Sequence, residues 1–286
     1  MTLLLDGKKT AQEILQEIAK DADFVRGKPT LSFILMEGHF ASEIYVRKKK
    51  SACNLVGFSS KEIRLPSSAT EKEVLHIIDK ENKNPNVHGI LVQQPFPPHF
   101  SVYRIVQAID PRKDVDGFHP YNMGQTLLGD SDGFRPCTPL GIMALLQKYS
   151  IGLAGKQVAI LGRSNIVGKP LAVMMMQKNE TGNATVTLLH SQSKNIVPHL
   201  RSADIVIAAM GKPHFLHREH ISKGTVVVDV GINRISKDSA KIVGDVNFAE
   251  VFPLCSHITP VPGGVGPMTI AMLMANTWMS FLRATR

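Results

Sequence analysis

The sequence contains little cysteine: only three of its 286 residues are cysteines, and they lie far apart. Cys53, Cys137 and Cys255 form no C-x-x-C pair, so the pattern favours neither a disulfide framework nor a thiolate zinc site. A reducing compartment fits this usage, because stable disulfides belong to oxidising environments. With 43% hydrophobic residues, the chain has enough apolar surface to form a globular core.

The sequence also lacks an uninterrupted apolar stretch that could cross a membrane. Residues Met1–Lys9 hold too short an apolar run for a signal peptide, and they lack the Arg and Ser bias of a transit peptide. Residues 251–282 carry no charge apart from a histidine, but prolines and glycines interrupt them up to Pro267. About 15 residues remain after that point, whereas a membrane-spanning helix needs about 20. We expect a loop followed by a buried helix, no membrane partner and a cytoplasmic location.

Acidic residues are outnumbered by basic ones. The 33 Lys and Arg residues exceed the 24 Asp and Glu residues, so the formal net charge is +9. This balance favours anionic partners, which include nucleic acids, acidic membranes and small ligands with phosphate or carboxylate groups. The basic run Arg47–Lys50 has no interleaved aromatic residue and lies in no nucleic-acid-binding motif. We therefore expect no nucleic-acid partner, although a basic nucleic-acid-binding protein is the rival hypothesis from another class.

Three histidines, His214, His217 and His220, recur every three residues in a pattern that resembles a metal cluster. A metal site requires all its imidazoles to converge, whereas successive steps of three drift around a helix. We expect a surface or ligand-rim role for these histidines, and we predict no metal site.

Helix-like and strand-like patterns alternate along the whole chain. Apolar residues at helical spacing run from Ala11 to Ala22, and the apolar run Leu31–Met36 has the length of a strand. Strands separated by helices in this way predict parallel sheets with helices on both faces. Further expected elements are a helix capped by Ser42 and ended by Gly57, a capping box from Thr70 to Glu73, a strand at 87–92, a helix from Thr138 through Tyr149, and strands near 157–161, 184–189, 205–209 and 225–230.

A turn-rich stretch, Gly129–Pro139, separates the two halves of this alternation. The second half repeats the pattern of strands and helices, without an internal sequence repeat. We therefore predict an α/β protein with two α/β domains. The final helix, after Pro267, is free to pack on either domain.

A glycine-containing loop follows the strand at 157–161. Gly162, Ser164 and Gly168 form a G-x-S-x-x-x-G pattern before an apolar helix, which is the context of a dinucleotide phosphate site. Residues 190–194, after the next strand, include no Asp or Glu that could bind the ribose hydroxyls of NAD. With Arg163 also on the loop, the pattern favours NADP. The alternatives are a structural turn and a solvated role for Arg163.

A second set of polar residues predicts a reactive site in the first half. Tyr45 and Lys49 lie four residues apart on one helix face, where desolvation would lower the pKa of the lysine and make it a general base. The alternative is that Lys49 belongs to a solvated basic run. Gln93 follows a strand, at the edge where open α/β sheets bind ligands, and Asp116 lies on a turn. The loop Pro262–Thr269 has more glycines than a turn requires, which indicates close packing against a flat ligand or a neighbouring backbone.

Six sequence motifs occur in a fixed order over nearly the whole chain. They are Ser42-x-x-Tyr45-x-x-x-Lys49, Gly89–Pro95, Lys113–Gly117, Gly162–Pro170, Asp229–Arg234 and Pro262–Ile270. Together they resemble the bifunctional methylenetetrahydrofolate dehydrogenase/methenyltetrahydrofolate cyclohydrolase family, for which the last loop is highly specific. The chain departs from the family pattern at Gln94 and Phe96, where leucines are usual, and at 36–40.

The resemblance implies a role for each matching residue. Lys49 would be the key residue of the cyclohydrolase step, Gln93 would position it, Tyr45 would stack on the folate, and Asp116 would anchor the pterin ring. The loop residues that would lie along the folate are Pro262, Gly263 and Gly264. The dinucleotide would be bound by the glycine loop, Gly162 and Gly168, and by Arg163, Ser164, Ser191 and Ile232.

The resemblance also implies the activity and the architecture. The enzyme would oxidise 5,10-methylenetetrahydrofolate with NADP and hydrolyse the methenyl product to 10-formyltetrahydrofolate, as part of one-carbon metabolism. The second domain would be a Rossmann-like parallel-sheet dinucleotide-binding domain, the C-terminal helix would pack back on the first, and the enzyme would be a homodimer. The boundaries are 1–137 plus 268–286 for the folate-binding domain and 138–267 for the NADP-binding domain. A monofunctional or NAD-preferring member of the same family is the alternative.

Overall fold

A computed structural model describes residues 1–38, 40–234 and 242–285, without the side chains of residues 40–42. The predicted cap Ser42 lies outside the described side chains. The helix that it was expected to cap begins earlier, at Phe40, and ends at Leu55.

The described residues contain eleven strands, and nearly all of their pairings are parallel. The predicted strands of the second half lie within one residue of their expected bounds. Those at 157–161, 205–208 and 226–229 bury nearly all of their side chains, as strands covered on both faces do, whereas the strand at 185–189 buries only Leu189. The strands are β1 Leu3–Leu4, β2 Thr30–Met36, β3 Ser59–Leu65, β4 Gly89–Val92, β5 Gln157–Leu161, β6 Thr185–Leu189, β7 Ile205–Ala208, β8 Val226–Asp229, β9 Asn233–Arg234, β10 Ile242–Val243 and β11 His257–Ile258.

Ten α-helices alternate with these strands over the described residues. Local chemistry fixes several of their ends: the predicted Thr70–Glu73 capping box is present, and Gly129 ends a helix in the left-handed conformation. The helices are α1 Gly7–Asp23, α2 Phe40–Leu55, α3 Glu71–Lys83, α4 Val102–Ala108, α5 Pro120–Leu128, α6 Cys137–Lys148, α7 Gly168–Met176, α8 Ile196–Arg201, α9 Phe248–Val251 and α10 Val265–Thr285.

The chain divides into two compact units. The three-stranded unit comprises Gln12–Cys137 and the chain from Ile270, and its parallel sheet has the order β3-β2-β4. The six-stranded unit comprises Met1–Ala11 and Thr138–Thr269, and its sheet has the order β1-β11-β8-β7-β5-β6. The latter sheet is parallel throughout and helices connect its central strands, so the predicted Rossmann-like α/β architecture is confirmed.

Residues Met1–Ala11 lie in the six-stranded unit, whereas the predicted boundaries assigned residues 1–137 to the first domain. The physical reason is backbone pairing, because β1 lies parallel to β11 at the edge of the six-stranded sheet. A two-residue strand gives little sequence signal, so the pairing could not be read from periodicity. The other predicted boundaries, at 137/138 and 267/268, lie within two residues of the unit boundaries.

The C-terminal helix packs on the three-stranded unit, as predicted. Within this unit, the Ser280 hydroxyl donates to the carbonyl oxygens of His88, at 2.5 Å, and Arg112, at 2.9 Å. The ring of Phe281 meets that of His88 edge to face, at 4.9 Å between centroids. These contacts anchor the last turns of α10 to His88, just before β4, and to Arg112.

Helix α10 is longer than predicted, because it begins at Val265 and contains Pro267 in its first turn. A proline is tolerated there, because the backbone amides of the first turn have no intrahelical hydrogen-bond acceptor. The 21-residue helix is long and apolar enough to span a membrane, but over half of its most apolar stretch is buried inside the protein. Asn276, Thr277 and Ser280 are also buried and bonded on it, which is typical of a core helix.

Candidate active site

Lys49 and Gln93 are joined by a hydrogen bond at the carboxyl end of β4. The Lys49 ammonium donates to Gln93 Oε1 at 3.0 Å, and Gln93 Nε2 donates to the Gln94 carbonyl oxygen at 2.7 Å. The Gln93 backbone amide donates to the Ile34 carbonyl oxygen of β2, at 2.8 Å, so the sheet extends through this residue. The glutamine is therefore held at both its backbone and its side chain, and it fixes the position of a half-buried lysine.

Asp116 is an electrostatic neighbour of Lys49. Burial raises the pKa of the Asp116 carboxyl, while the positive charge of Lys49 and a hydrogen bond with the Cys137 thiol lower it. The side chain keeps part of its surface exposed. The structure thus brings together three of the predicted site residues around an opposite-charge pair in a setting of low polarity.

Gly117 allows the turn that carries Asp116. Its φ is +77°, in the left-handed region, and a Cβ at this position would lie 2.5 Å from the Arg135 carbonyl carbon. Only glycine fits this conformation at this distance. The Asp-Gly pair therefore has a structural reason as well as a place in the candidate site.

Cys137 and Asn276 complete the surroundings of Asp116, and the sequence reasoning did not find either. The Asn276 amide donates to the carbonyl oxygens of Val115, at 2.8 Å, and Arg135, at 3.1 Å. The Cys137 thiol donates to the Val115 carbonyl oxygen at 3.3 Å, and burial raises its pKa well above the ordinary value, so it is a neutral thiol. A lone asparagine inside the apolar run 265–282 was the signal that could have found Asn276. Nothing in the sequence distinguishes Cys137.

Asp114, two residues before Asp116, has a different environment. Its Oδ2 accepts the His119 amide at 2.7 Å and the Asn122 side-chain amide at 2.8 Å, and it is almost fully buried. Burial raises its pKa to about 7, against the effect of these hydrogen bonds. Asn122 in turn accepts the Phe134 amide at 3.2 Å. Asp114 therefore organises the chain that follows Asp116.

We expect Asp114→Ala to destabilise the three-stranded unit. A buried donor left without its acceptor costs about 1–3 kcal/mol, so the loss of two acceptor contacts should lower the free energy of unfolding by about 2 kcal/mol or more. Urea denaturation followed by circular dichroism measures this change. Asp132→Ala, at an exposed aspartate of the same unit, is the matched control and should leave the midpoint in place. Equal midpoints for all three proteins would contradict the assignment.

The remaining predicted folate-site residues lie in both units. Tyr45 is half-buried on α2, one helical turn before Lys49. The loop Pro262–Gly264 belongs to the six-stranded unit, where Lys8 donates its amide to the Gly263 carbonyl oxygen at 2.8 Å. A Cβ at Gly264 would lie 2.6 Å from the Pro260 carbonyl oxygen, whereas one at Gly263 would meet nothing closer than 3.8 Å. A neighbouring backbone therefore explains Gly264, whereas Gly263 has a φ of +112°, in the left-handed region that favours glycine.

The predicted phosphate loop joins β5 to α7. A Cβ at Gly162, where φ is +120°, would overlap the Ala209 carbonyl oxygen, and one at Gly168 would overlap the carbonyl oxygen of Gly162. Ser164 Oγ accepts the backbone amides of Val167, at 3.1 Å, and Gly168, at 3.4 Å. The two glycines thus permit close packing of the strand end, the loop and the helix, which is the role of the glycines in a dinucleotide fingerprint.

The polar groups around this loop fit a phosphorylated dinucleotide. Arg163 and Ser164 are exposed on the loop, and Ser191 is exposed just after β6. Ile232 is 47% exposed, three residues beyond the end of β8. Residues 190–194 place no carboxylate at the end of β6, and a carboxylate there would repel a 2′-phosphate.

His217, one of the three regularly spaced histidines, pairs with Glu250. Its Nδ1 lies 3.1 Å from Glu250 Oε2, and this hydrogen bond lowers the pKa of the glutamate. Glu219 is near enough that one ligand atom from each of the three lies within 4.8 Å of the others. The group is largely exposed, and Glu250 Oε1 also accepts the Asn247 side-chain amide at 2.6 Å.

A parallel sheet with a glycine loop at the end of one strand, together with a lysine-centred site in a second α/β unit, defines a dinucleotide-dependent oxidoreductase with an additional reactive site. Two family models match the chain: the NAD(P)-binding domain of tetrahydrofolate dehydrogenase/cyclohydrolase over residues 136–285, and the catalytic domain over residues 5–116. The chain belongs to the tetrahydrofolate dehydrogenase/cyclohydrolase family.

Individual relatives agree over the full length. The chain is 51% identical to the bifunctional protein FolD of Chlamydia felis, over 99% of this chain and 100% of that protein. It is 45% identical to the Campylobacter jejuni FolD methylenetetrahydrofolate dehydrogenase/cyclohydrolase structure, with a TM-score of 0.95 and 99% of each chain covered. The Trypanosoma brucei enzyme, solved with NADP cofactor and inhibitor, is 33% identical with a TM-score of 0.94 over 100% of this chain and 99% of that one.

These similarities confirm the predicted activities. The chain is an enzyme with NADP-dependent methylenetetrahydrofolate dehydrogenase and methenyltetrahydrofolate cyclohydrolase activity, and tetrahydrofolate one-carbon derivatives are its substrates. The predicted roles of individual residues stay predictions at this point.

Proposed function

We propose that Lys49, held by Gln93 beside Asp116, carries the cyclohydrolase step. In this step water adds to the cationic methenyl carbon and one carbon–nitrogen bond breaks. One proton of the water passes to the departing nitrogen, and the other is released to solvent as the neutral formyl group forms. Lys49 Nζ moves the first of these protons in its neutral form: the amine accepts it from the water, and the ammonium so formed returns it to the nitrogen. The observation that carries the proposal is the 3.0 Å hydrogen bond from Lys49 Nζ to Gln93 Oε1.

Gln93, Asp116 and Tyr45 have supporting roles in this proposal. Gln93 Oε1 orients the Lys49 amine by accepting one hydrogen of Nζ. The Gln93 side chain is itself held in place, because its Nε2 donates to the Gln94 carbonyl oxygen. The Asp116 carboxylate accepts hydrogen bonds from the ring amine and amide of the pterin. Tyr45 stacks its ring on the same ligand, and Pro262, Gly263 and Gly264 supply a loop with little side-chain bulk along the folate.

The oxidation step depends on positioning. When bound, NADP supplies the ring that accepts a hydride from the methylene carbon. The two folate nitrogens stabilise the resulting cation, so the protein needs no strong acid, and its contribution is to hold the reactants in place. Gly162 and Gly168 let the backbone approach the pyrophosphate. Arg163, Ser164, Ser191 and Ile232 contact the dinucleotide, and the guanidinium of Arg163 binds its 2′-phosphate.

A spectrophotometric assay tests both steps in one experiment. Methenyltetrahydrofolate formation is followed with NADP and with NAD, and its decay is followed after the cofactor is removed. We expect faster formation with NADP and decay above the uncatalysed rate. Preference for NAD, or decay at the uncatalysed rate, would favour the NAD-preferring or monofunctional alternative.

Replacing Arg163 should separate the two cofactors. If its guanidinium contacts the 2′-phosphate, Arg163→Ala should raise KM for NADP by about 10-fold to 100-fold, the equivalent of a lost hydrogen bond between charged groups. KM for NAD should change by less than about 3-fold, because NAD lacks that phosphate. Arg201→Ala, at an exposed arginine in the last turn of α8, is the control. Equal changes in KM for both cofactors would refute the contact.

We also propose a cytoplasmic homodimer that binds no nucleic acid. The support is the family resemblance, the absence of a nucleic-acid motif in the sequence, and the buried, protein-bonded polar residues of α10. Sedimentation velocity measures the mass of the assembly, and a single species at the mass of one chain would refute the dimer. Salt-dependent retention of RNA or DNA on a filter would favour the rival class.

A further inference from the structure

The six-stranded unit contains two buried aspartates, Asp229 and Asp245, and the side chain of the first accepts the backbone amide of the second. Asp229, the last residue of β8, is 3% exposed, and Asp245 is fully buried. Asp229 Oδ1 accepts the backbone amides of Gly231 and Asp245, each at 2.9 Å, and its Oδ2 accepts the Val246 amide at 3.0 Å. Asp229 therefore ties the residues that follow β8 to the segment that follows β10.

Asp245 extends these ties to the end of β7. Its Oδ2 accepts the backbone amides of Met210, at 2.6 Å, and Gly211, at 2.9 Å, while its Oδ1 accepts the Asn233 side-chain amide at 2.8 Å. Strand β7 ends at Ala208, so the Met210 and Gly211 amides belong to the loop that directly follows the strand. The two carboxylates together accept six N–H donors from three separate chain segments.

Two glycines admit the carboxylates to these positions. A Cβ at Gly231 would overlap Asp245 Oδ1, and a Cβ at Gly244 would overlap Asp229 Oδ2. The backbone must approach each carboxylate closely, and side chains would prevent it. The absence of a side chain at Gly231 and Gly244 is therefore required by the two carboxylates, and not by the packing of the hydrophobic core.

Stability alone does not explain this arrangement. Burial, and to a smaller extent the nearby Asp245, raise the pKa of Asp229 to about 6, against the backbone amides, which lower it. Two neighbouring carboxylates in a buried site repel one another, and buried charges are weak contributors to stability. What the two buried carboxylates do provide is a fixed conformation for the backbone segments whose amides they accept.

The bound backbone borders the predicted cofactor site. The carboxyl ends of β5, β7 and β8 are adjacent in the sheet, and this edge is where open parallel sheets bind ligands. Ala209, just before the Met210 amide, donates its amide to the Leu161 carbonyl oxygen at 2.8 Å, and its carbonyl abuts Gly162 of the phosphate loop. Gly231, on the other side, precedes Ile232.

We propose that Asp229 and Asp245 are positioning residues for the dinucleotide. They set the backbone at 209–211 and 231–232 in the conformation that binds NADP, and they do not touch the cofactor themselves. The inference rests on the proposed roles of the Gly162 loop and Ile232.

Direct binding of NADP tests this inference. Asp245→Ala frees the Met210 and Gly211 amides, and calorimetry should give a Kd for NADP about 10-fold or more above that of the unmodified enzyme. The hydrolysis of methenyltetrahydrofolate, assayed without NADP, should stay within about 2-fold. Asp204→Ala removes a half-exposed aspartate just before the opposite end of β7, and this control should leave both quantities unchanged.

Each result has one meaning. An unchanged Kd in Asp245→Ala would overturn the inference, as would a parallel fall in NADP binding and cyclohydrolase rate, since that marks a general structural role. If Asp245→Ala does not fold, Asp245→Asn is the deciding variant, because it keeps an oxygen for the two amides. We expect its Kd for NADP to be higher than that of the unmodified enzyme, by less than about 10-fold. A Kd equal to that of the unmodified enzyme would then overturn it. Failure of the unmodified enzyme to bind NADP would refute the proposed function instead.

Discussion

Lys49→Met is expected to lower the cyclohydrolase rate by about 10³-fold, within the range that a positioned general acid or base contributes. Methionine matches the length and most of the volume of lysine, but it cannot donate to Gln93 Oε1 or move a proton. The measurement is the decay of methenyltetrahydrofolate under saturating substrate. The Kd for NADP should stay within about 2-fold, because the proposed cofactor residues lie in the six-stranded unit.

Lys50→Met is a matched control for this prediction. Lys50 is the next residue on α2, and its ammonium forms an ion pair with Glu62 at 2.5 Å. This pair is partly exposed, so its loss should change stability by less than about 1 kcal/mol and leave hydrolysis unchanged. Normal hydrolysis in Lys49→Met would remove this lysine from the mechanism. Equal losses in both variants would indicate a general effect of charge on α2.

The sequence predicted the strands correctly where a local run of apolar residues is enough to specify a strand. Most strands of the second half are apolar runs between helices, and their short length favours a strand over a buried helix. The strand β3 was not predicted, because its sequence Ser59–Leu65 is largely polar and alternates poorly. Its pairing with β2 over seven residues, a tertiary interaction, decides its conformation.

The candidate site shows the same division. Lys49 and Gln93 could each be predicted, because a helix face and a strand end have local signatures, and the family resemblance implied that the two residues pair. Cys137 and Asn276 could not, since they contact Val115 across 22 and 161 residues of chain, and no local pattern encodes such a contact. Asp229 and Asp245 were likewise invisible as a pair, because the backbone amides that they accept carry no sequence signal.

The two aspartates of the Asp114–Asp116 turn should respond to mutation in different ways. Asp114 is bonded to the backbone and holds the turn, so its loss lowers stability. Burial raises the pKa of both carboxyls, but Asp114 is held by the amides of His119 and Asn122, whereas Asp116 faces Lys49. A raised pKa means that the folded protein disfavours the charged form, so an ionised Asp116 costs folding free energy at neutral pH.

Asp116→Asn is therefore expected to lower activity while stability is kept or rises. The amide retains the shape of the side chain, but it removes the negative charge beside Lys49 and replaces one acceptor oxygen with a donor that would face the ring N–H groups of the pterin. We expect kcat/KM of both the dehydrogenase and the cyclohydrolase to fall by about 10²-fold, since a buried donor facing a donor costs about 1–3 kcal/mol and the loss of the charge adds to it. The urea midpoint should equal or exceed that of the unmodified enzyme. A variant with full activity, or one that loses activity and stability together, would show that Asp116 serves the fold in the way Asp114 does.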